Sequence, residues 1–169
     1  MLYSKRWKTW KTEIDDKTCL TCRENNGKIY PIDETPYPRP PVHLYCRCTI
    51  GKLCAIPAGN ATSDGINGAD WQLKYHGILS NYYITKEKAK QLGWSSINGD
   101  LSNIIPGKMI FGGVYYNYSK KLPETPERIW YEADINYTKG YRNSSRILFS
   151  NDGLIFVTYD HYRKFYEIV

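Results

Sequence analysis

The clearest pattern of hydrophobic and polar positions lies between residues 130 and 168, where apolar and polar side chains alternate in short runs. The first run has two faces, one with Trp130, Glu132, Asp134 and Asn136 and the other with Tyr131, Ala133, Ile135 and Tyr137. A period of two is typical of a β-strand with one buried face, and we expect the second set to face the core. Further runs at 146–149, 153–159 and 161–168 follow short links, one of which holds the hairpin signal Asp152-Gly153. The pattern predicts consecutive antiparallel strands.

The part of the chain ahead of these strands carries helix signals. Ser63 or Asp64 is a candidate N-cap for a helix that runs to about residue 76, and Thr85 is one for a helix over residues 86–92. Asp100 is expected to open one more short helical turn. Short helices before an antiparallel sheet make an α+β domain, in which we expect the helices to pack on the sheet.

Composition adds a partner class to this picture. The 169 residues include 41% hydrophobic and 15% aromatic residues, and the formal net charge is +6. A basic surface favours a polyanionic partner such as RNA or DNA, although many basic proteins bind no nucleic acid. No apolar run approaches the roughly 20 residues of a membrane span, so we expect no membrane partner. The first residues lack the apolar region of a signal peptide, and the abrupt start suggests the tail of a longer protein.

The cysteines mark a separate N-terminal segment. All five lie between residues 19 and 54, and an odd number excludes a complete set of intrachain disulfides. The spacing makes five residues candidate zinc ligands: Cys19, Cys22, His43, Cys46 and Cys48. A structural zinc would staple a segment too small to build a core; reduced thiols without metal, or one disulfide, are the alternatives. We therefore expect a Cys/His-rich appendage at 1–54, a linker at 55–67 rich in small and polar residues, and a main domain at 68–169.

The predicted strands carry a small set of reactive groups. Glu132 is a candidate base, His161 a candidate acid, and Arg142 and Arg146 are cations suited to phosphate. Taken singly, a strand glutamate is usually solvated and a histidine near a C-terminus is usually a surface or core residue. A meander of strands would place such distant residues on one sheet face, so Glu132 and His161 could flank a common ligand.

The N-terminal segment resembles a phage family. The motifs are Cys19-x-x-Cys22, then Asn26-Gly27-Lys28, then Pro40-Pro41-Val42-His43-x-x-Cys46-Arg47-Cys48. Over residues 7–50 they resemble the C-terminal end of phage Mu F-like head-morphogenesis proteins. The resemblance implies a minor capsid protein that carries an extra C-terminal module, with phage capsid proteins among its partners.

The main domain resembles the barnase-like microbial ribonucleases over residues 69–168. The motifs include Tyr83-Ile84-Thr85-Lys86, Leu92-Gly93-Trp94, Lys121-Leu122-Pro123, Arg142-Asn143-Ser144, Arg146-Ile147-Leu148 and Asp160-His161-Tyr162. The resemblance implies a barnase-like fold and cleavage of single-stranded RNA without a catalytic metal. By the same resemblance Glu132 is the general base and His161 the general acid. The implied phosphate-binding residues are Lys86, Arg142 and Arg146, and the family's internal salt bridge maps to Arg128 and Asp152.

The family's base-recognition loop matches residues 115–119, and here the chain departs from the pattern. The resemblance makes Tyr115, Tyr116, Asn117, Tyr118, Ser119 and Tyr162 the substrate-binding residues. Tyr118 stands where the family has an arginine, and Ser119 where it has the glutamate that reads guanine. Serine cannot accept the two hydrogen bonds that a carboxylate takes from guanine, so guanine preference is in doubt. Tyr162 is expected to stack on a base or to serve packing.

Three functions fit the sequence. The first is a metal-independent endoribonuclease acting as a toxin-like module on a phage or prophage head protein. The second is a catalytically weakened module that binds RNA or protein, and the third is a structural virion segment. The ribonuclease resemblance also implies a barstar-like acidic inhibitor as a partner. Location stays open between virion, cytoplasm and delivery to a target cell.

Overall fold

The computed structural model describes residues 2–169 and divides the chain into two compact units. The first unit contains the residues up to Ala55 together with Asn117–Pro126, and the second contains Ile56–Tyr116 and Glu127–Val169. The division that composition suggested, at 1–54, 55–67 and 68–169, stays a prediction. A ten-residue loop from the later part of the chain thus folds with the N-terminal segment.

The first unit is a small antiparallel sheet with one short helix. Its elements are β1 (Leu2–Lys11), α1 (Leu20–Asn25), β2 (Ile29–Pro31) and β3 (Thr49–Ile56), the last of which ends at the unit boundary. β1 lies between the other two strands: Thr9 is opposite Ile29 on one side, and Trp10 is opposite Ile50 on the other. One buried cluster of this unit consists of Trp10 with Cys22 and Cys48, and Trp7 and Leu53 are buried as well.

The second unit holds most of the regular structure. Its helices are α2 (Ala69–His76), α3 (Lys86–Gln91) and α4 (Leu101–Ile104), with a 3₁₀ turn at Gly65–Asn67. Its strands are β4 (Tyr83–Thr85), β5 (Met109–Tyr115), β6 (Trp130–Asp134), β7 (Arg146–Ser150), β8 (Ile155–Thr158) and β9 (Tyr166–Ile168). They lie in the order β9-β8-β7-β6-β5-β4, antiparallel except for the parallel pair β4–β5. A large sheet with a few short helices agrees with the expected α+β class.

The core of the second unit forms where α2 meets the central strands. Ala69 and Leu73 of α2 cluster with Ala133, Ile147 and Val157. Ala61 belongs to the same cluster and is only 3% exposed. A second cluster, around Trp94, contains Ala89, Leu101 and Ile110. None of the helices described in residues 2–169 is long and apolar enough to cross a membrane.

The helix caps test the sequence signals directly. Thr85 caps α3 as predicted, because its hydroxyl accepts a hydrogen bond from the Lys88 amide. The prediction that Ser63 or Asp64 caps α2 is wrong: the helix begins after Gly68, where no side chain caps it. The reason is tertiary: the Gly59 and Ala61 amides donate to the buried carboxylate of Asp70, in the first turn of α2, and these bonds fix the path of the segment that leads to the helix.

Both faces of β6 are partly buried. Ala133 and Ile135 are 0% exposed, which fits the predicted core face. On the opposite face Trp130 is 3% and Asp134 0% exposed. Trp130 packs on Phe156, with ring centroids 5.8 Å apart, and Asp134 is covered by ion pairs. Glu132, between them, keeps 13% of its side chain exposed.

Candidate functional site

Glu132 lies at the centre of the second unit's sheet. It is opposite Leu148 of β7 and Gly113 of β5, beside a register shift in β5 between Phe111 and Gly113. A side chain at Gly112 would collide with the Glu132 carboxylate, because a Cβ there would lie 2.6 Å from its Cγ. The glycine in β5 therefore makes room for the carboxylate over the neighbouring strand.

Two groups hold this carboxylate. The Lys86 ammonium, in the first turn of α3, lies 3.7 Å from Oε1 of Glu132. The Tyr162 hydroxyl donates a hydrogen bond to Oε2. Burial and this hydrogen bond raise the pKa of Tyr162 above its ordinary value, so its hydroxyl stays protonated at neutral pH. Glu132 is thus presented as a carboxylate held between a cation and a neutral donor.

His161 lies in a turn that follows β8. Both His161 and Tyr162 have positive φ, at 56° and 67°. The turn is held by two hydrogen bonds, from the His161 amide to the Ser144 carbonyl at 3.1 Å and from the Tyr162 amide to the Thr158 hydroxyl at 3.0 Å. The exposed His161 ring lies 4.9 Å from the Tyr162 ring, measured between centroids. Tyr162 therefore touches both His161 and Glu132, and the two predicted catalytic residues share one neighbourhood.

Arg142 and Arg146 converge on one buried carboxylate. Asp134 is 0% exposed and accepts two hydrogen bonds from Arg142, at 2.8 and 2.7 Å. Nε of Arg146 lies 3.1 Å from the same carboxylate. Two cations around one anion leave a formal net charge of +1 at this point of the site. The sequence analysis missed Asp134, although its place two residues after Glu132 on the same strand face was a usable signal.

Arg146 is held further by the turn before β7. One of its guanidinium nitrogens donates to the Asn143 carbonyl and to the Ser145 carbonyl, both at 2.7 Å. The Asn143 side chain in turn donates to the Ile135 carbonyl at 2.9 Å. Asn143 is a second residue that was not recognised as part of the site. These bonds orient the guanidinium before any ligand arrives.

Aromatic rings border the carboxylate. Tyr115, at the end of β5, stacks on Tyr162 with ring centroids 5.1 Å apart and an interplanar angle of 20°. Tyr116 follows it and is 68% exposed. Both rings belong to the second unit. A pair of stacked rings beside basic groups is an arrangement that suits the faces of nucleic-acid bases.

The remaining predicted substrate-binding residues, from 117 to 119, belong to the first unit. Asn117 is 2% exposed and has a positive φ of 48°. Its amide donates to the Leu122 carbonyl at 2.9 Å and to the Glu124 carboxylate at 3.0 Å, so it shapes the loop. Tyr118 is 87% exposed, and Ser119 is exposed as well.

The thiol cluster of the first unit contains all five predicted ligands. They form two groups that share Cys22, each with ligand atoms within 4.8 Å of one another: Cys19, Cys22 and His43, and Cys22, Cys46 and Cys48. Nε2 of His43 lies 3.2 Å from the Cys19 sulfur and 3.4 Å from that of Cys22. The five cysteines are free thiols throughout the described residues 2–169, so the disulfide alternative is not observed.

The donor set fits a tetrahedral metal. The Cys22 and Cys46 sulfurs are 3.8 Å apart, and a tetrahedral zinc with bonds of about 2.3 Å to sulfur requires a separation of about that size. The Nδ1–H of His43 donates a hydrogen bond to the Leu44 carbonyl at 2.8 Å, which leaves Nε2 free of a proton and directed toward the thiols. Burial opposes ionisation of Cys46, but hydrogen bonds involving the backbone at Val42 and Cys48 outweigh it and lower its pKa to about 7. A thiol that ionises near neutral pH suits a divalent metal.

Comparison with known proteins assigns both segments. A family model described as ribonuclease matches residues 69–169, and one described as phage Mu protein F like protein matches residues 2–51. Ribonucleases from Heyndrickxia coagulans, Bacillus intermedius and Bacillus pumilus are each 45% identical to this chain over 107 residues, which is 63% of it. The aligned part covers 95% of the first relative and 64% of each of the other two. The chain belongs to the ribonuclease family.

Proposed function

We propose that the second unit is a metal-independent endoribonuclease that cleaves single-stranded RNA and leaves a 2′,3′-cyclic phosphate. The observation that carries the proposal is the Glu132 carboxylate, which Lys86 and Tyr162 contact, with the His161 ring 4.9 Å from the Tyr162 ring between centroids. A base and an acid in one neighbourhood, next to fixed cations, are what an in-line displacement at phosphorus requires.

Each reacting group has one task in the proposed reaction. Glu132 takes the proton from the ribose 2′-OH as that oxygen bonds to phosphorus. His161, in its protonated form, gives a proton to the departing 5′-oxygen as the bond between phosphorus and that oxygen breaks. General acid–base steps of this kind are each worth about 10²–10⁴ in rate. Because the nucleophile is the 2′-OH, DNA is not a substrate.

The basic side chains stabilise the negative charge of the scissile phosphate. Arg142 and Arg146 are already oriented by the buried Asp134, so they need no rearrangement as charge builds on the phosphate oxygens. Guanidinium donors match phosphate oxygens in pairs. Lys86 adds a third cation and is positioned by the Thr85-capped start of α3.

Base recognition is proposed to rest on stacking. Tyr115 and Tyr162 form a stacked pair in the second unit, and Tyr116 and Tyr118 are largely exposed rings. Stacking is worth about 1–3 kcal/mol per base and tolerates every base. Ser119 offers no carboxylate for guanine, so we expect a weak preference or none for guanine.

A structural zinc in the first unit completes the proposal. Cys19, Cys22, His43 and Cys46 would hold it, while Cys48 is 2.9 Å from the Thr12 hydroxyl and would support the site from outside. The metal would supply crosslinking and no catalysis. The Mu F-like match supports the wider role of a toxin-like module on a phage or prophage head protein. We expect the cell that makes this ribonuclease also to make an acidic barstar-like inhibitor that covers the basic site.

The test is cleavage of a labelled RNA oligonucleotide by the full chain, with and without EDTA. We expect cleavage in both buffers, cyclic phosphate ends, and no cleavage of the matching DNA. Glu132→Gln and His161→Gln should each lower kcat by about 10²–10⁴. Glu127→Gln and His76→Gln, both at exposed positions, serve as matched controls. Binding of RNA without cleavage by the parent chain would instead favour a weakened binding module.

A further inference from the structure

The positive charge of the chain lies mostly in the first unit. That unit contains 12 lysines and arginines against 7 aspartates and glutamates, whereas the second unit contains 11 against 10. The formal net charge is therefore +5 in the first unit and +1 in the second. Because a basic surface attracts polyanions, the attraction expected from the whole sequence belongs mainly to the Mu F-like unit.

A groove of about 540 Å³ lies within the first unit. Lys8 of β1 and Thr49 of β3 line it together with Arg39 and the pair Pro40-Pro41 from the segment that leads to β3. Ligand sites typically measure about 300–1,000 Å³. This Lys8–Arg39 groove thus has room for a ligand and presents two cations to it.

The cations at the groove have no carboxylate partner in the described residues 2–169. Neither Lys8 nor Arg39 takes part in an ion pair there, and the same holds for Lys52, which is opposite Lys8 in the sheet. Arg47 of the same unit, by contrast, pairs with Asp15 at 2.7 Å. The charge at the groove is therefore available to an anion from outside the chain.

Strand pairing concentrates positive charge beside the groove. Lys52 of β3 lies directly opposite Lys8 of β1, and like charges in this arrangement destabilise a sheet. Both amines contact neutral groups: Lys8 donates to the Ile32 carbonyl at 2.8 Å, and Nζ of Lys52 lies 5.9 Å from the centre of the Tyr3 ring. A bound anion would offset the repulsion between the two lysines, so the pairing indicates an anionic ligand.

An exposed aromatic ring adjoins the same groove. Tyr37 lies in the sequence between Pro36 and Arg39, which both line the groove, and its residue is 96% exposed. Such a ring offers a face on which an unpaired base can stack, and stacking rings next to a basic groove are typical of proteins that bind single-stranded nucleic acid. The bases of a duplex are already stacked on one another, so the ring favours a single strand.

We propose that the Lys8–Arg39 groove binds single-stranded RNA, with Lys8, Arg39 and Lys52 on its phosphates and Tyr37 stacked on one base. The site lies within the first unit and outside the ribonuclease match at residues 69–169. The choice of RNA rests on the proposed function, since RNA is the polyanion that the second unit is proposed to cleave. The Mu F-like unit then has a binding role in addition to its proposed structural metal.

The test measures binding of a 2′-O-methyl RNA oligonucleotide to the full chain by fluorescence anisotropy at several salt concentrations. The methyl group blocks the proposed nucleophile, so binding is measured without cleavage. For single strands, the logarithm of the association constant falls with the logarithm of the salt concentration, with a slope of about −0.7 per neutralised phosphate. Arg39→Gln and Lys52→Gln should each make the slope less negative by about 0.7 and weaken binding about fivefold at 0.1 M salt.

Lys17→Gln is the matched control for these two variants. It removes one exposed positive charge from the same unit at a position that does not line the groove. We expect it to leave the salt slope unchanged. An equal change of slope in all three variants would overturn the proposal, because it would show attraction by net charge without a site.

The aromatic ring is tested by a second pair of variants. Tyr37→Ala removes the ring and should weaken binding of the single strand about tenfold, whereas Tyr37→Phe keeps the ring and should bind like the parent chain. Binding of the matching RNA duplex should not respond to Tyr37→Ala. Because the residue is 96% exposed, both variants should fold. Unchanged single-strand binding in Tyr37→Ala would contradict the stacking.

Cleavage of unmodified RNA separates failure of this inference from failure of the proposed function. A parent chain that binds the 2′-O-methyl strand, with the expected response to Arg39→Gln, but cleaves no RNA would refute the proposed function and support the site. A chain that cleaves RNA, while Arg39→Gln, Lys52→Gln and Tyr37→Ala all bind the strand like the parent, would refute the site and leave the proposed function intact.

Discussion

The two units of this chain assemble their functional groups by different means. In the first unit the five ligand candidates lie within residues 19–48, and two short-spaced motifs already bring most of them together. In the second unit the groups come from positions as far apart as Lys86 and His161, and strand pairing with a structured turn brings them together. One site depends on local spacing and the other on the complete fold.

The buried clusters differ in the same way. The cluster around Trp10 in the first unit is completed by two cysteines, Cys22 and Cys48, whereas the two clusters of the second unit join helices to strands through apolar side chains. A unit of this small size gains from a further source of stability beside its apolar core. The proposed metal crosslink would provide it in the first unit, and hydrophobic burial with internal ion pairs provides it in the second.

Metal removal should have the largest effect on the difference between the two units. We expect one zinc per chain, and a chelator at pH 7 should abolish amide protection in β1–β3. The reason is that structural zinc contributes about 10–16 kcal/mol to the folding of small modules. The thermal transition of the second unit should persist. Metal content and hydrogen exchange measure both effects.

Two cysteine variants serve as controls for the zinc experiment. Cys22→Ser should lose the metal, because Cys22 belongs to both ligand groups. Cys54→Ser should keep it, because Cys54 belongs to neither. Full protection of β1–β3 in the metal-free chain would show that the apolar core of the first unit is sufficient to fold it.

Asp134→Asn tests the internal ion pairs of the second unit. The substitution leaves two buried or half-buried guanidinium groups without their carboxylate, and breaking such an arrangement costs about 3–5 kcal/mol. Urea unfolding should show this loss, and RNA cleavage should fall because Arg142 and Arg146 lose their orientation. Asp64→Asn, at an exposed carboxylate, is the control and should change stability little. Equal stability of the two variants would contradict the anchoring role of Asp134.

These contrasts explain which features the sequence could predict. Period-two alternation predicted strands β6–β9, and Thr85 predicted the start of α3, because both signals act between near neighbours. The cysteine spacing predicted the thiol cluster for the same reason. The family resemblance supplied the site residues, and Glu132, Tyr162 and His161 do lie together.

The features that sequence reasoning missed all depend on distant partners. The strand pattern placed Asp134 on the face opposite the expected core, but Arg142, in the following turn, and Arg146, at the start of β7, pair with it. No signal in the sequence indicated that the loop at 117–126 joins the N-terminal segment, because a backbone hydrogen bond such as the one from Ile29 to Lys121 carries no side-chain pattern. A local signal also failed at Ser63, where contacts to Asp70 determine the path of the chain.

Variants at the predicted helix caps test, with a smaller expected effect, whether local sequence or tertiary contacts determine where a helix starts. Thr85→Ala removes a cap that the structure contains, and we expect a loss of about 1 kcal/mol in the free energy of unfolding. Ser63→Ala removes a hydroxyl that caps nothing in α2, so its effect should stay within about 0.5 kcal/mol. Thermal unfolding of both variants measures the difference. A larger loss of unfolding free energy in Ser63→Ala than in Thr85→Ala would show that Ser63 caps α2, as the sequence predicted.

The smallest expected effect concerns the ion pair between Arg128 and Asp152. Nε and Nη2 of Arg128 lie 3.0 and 2.7 Å from the Asp152 carboxylate, and this hydrogen-bonded pair lowers the pKa of Asp152 to about 2. Because the folded-state pKa lies below the ordinary value of 3.8, the pair stabilises the fold fully above that value. The contribution disappears as the pH falls toward 2.

Solvent limits the size of this effect. The Asp152 side chain is 45% exposed, so screening should keep the contribution to about 1 kcal/mol or less. Asp152→Asn should lower stability slightly at pH 6, and the difference from the parent chain should vanish near pH 2. Arg128→Gln, which removes the other partner, should show the same convergence. A difference that stays constant between pH 6 and pH 2 would mean that the pair acts through packing, since the charge of Asp152 is then irrelevant to the stability of the fold.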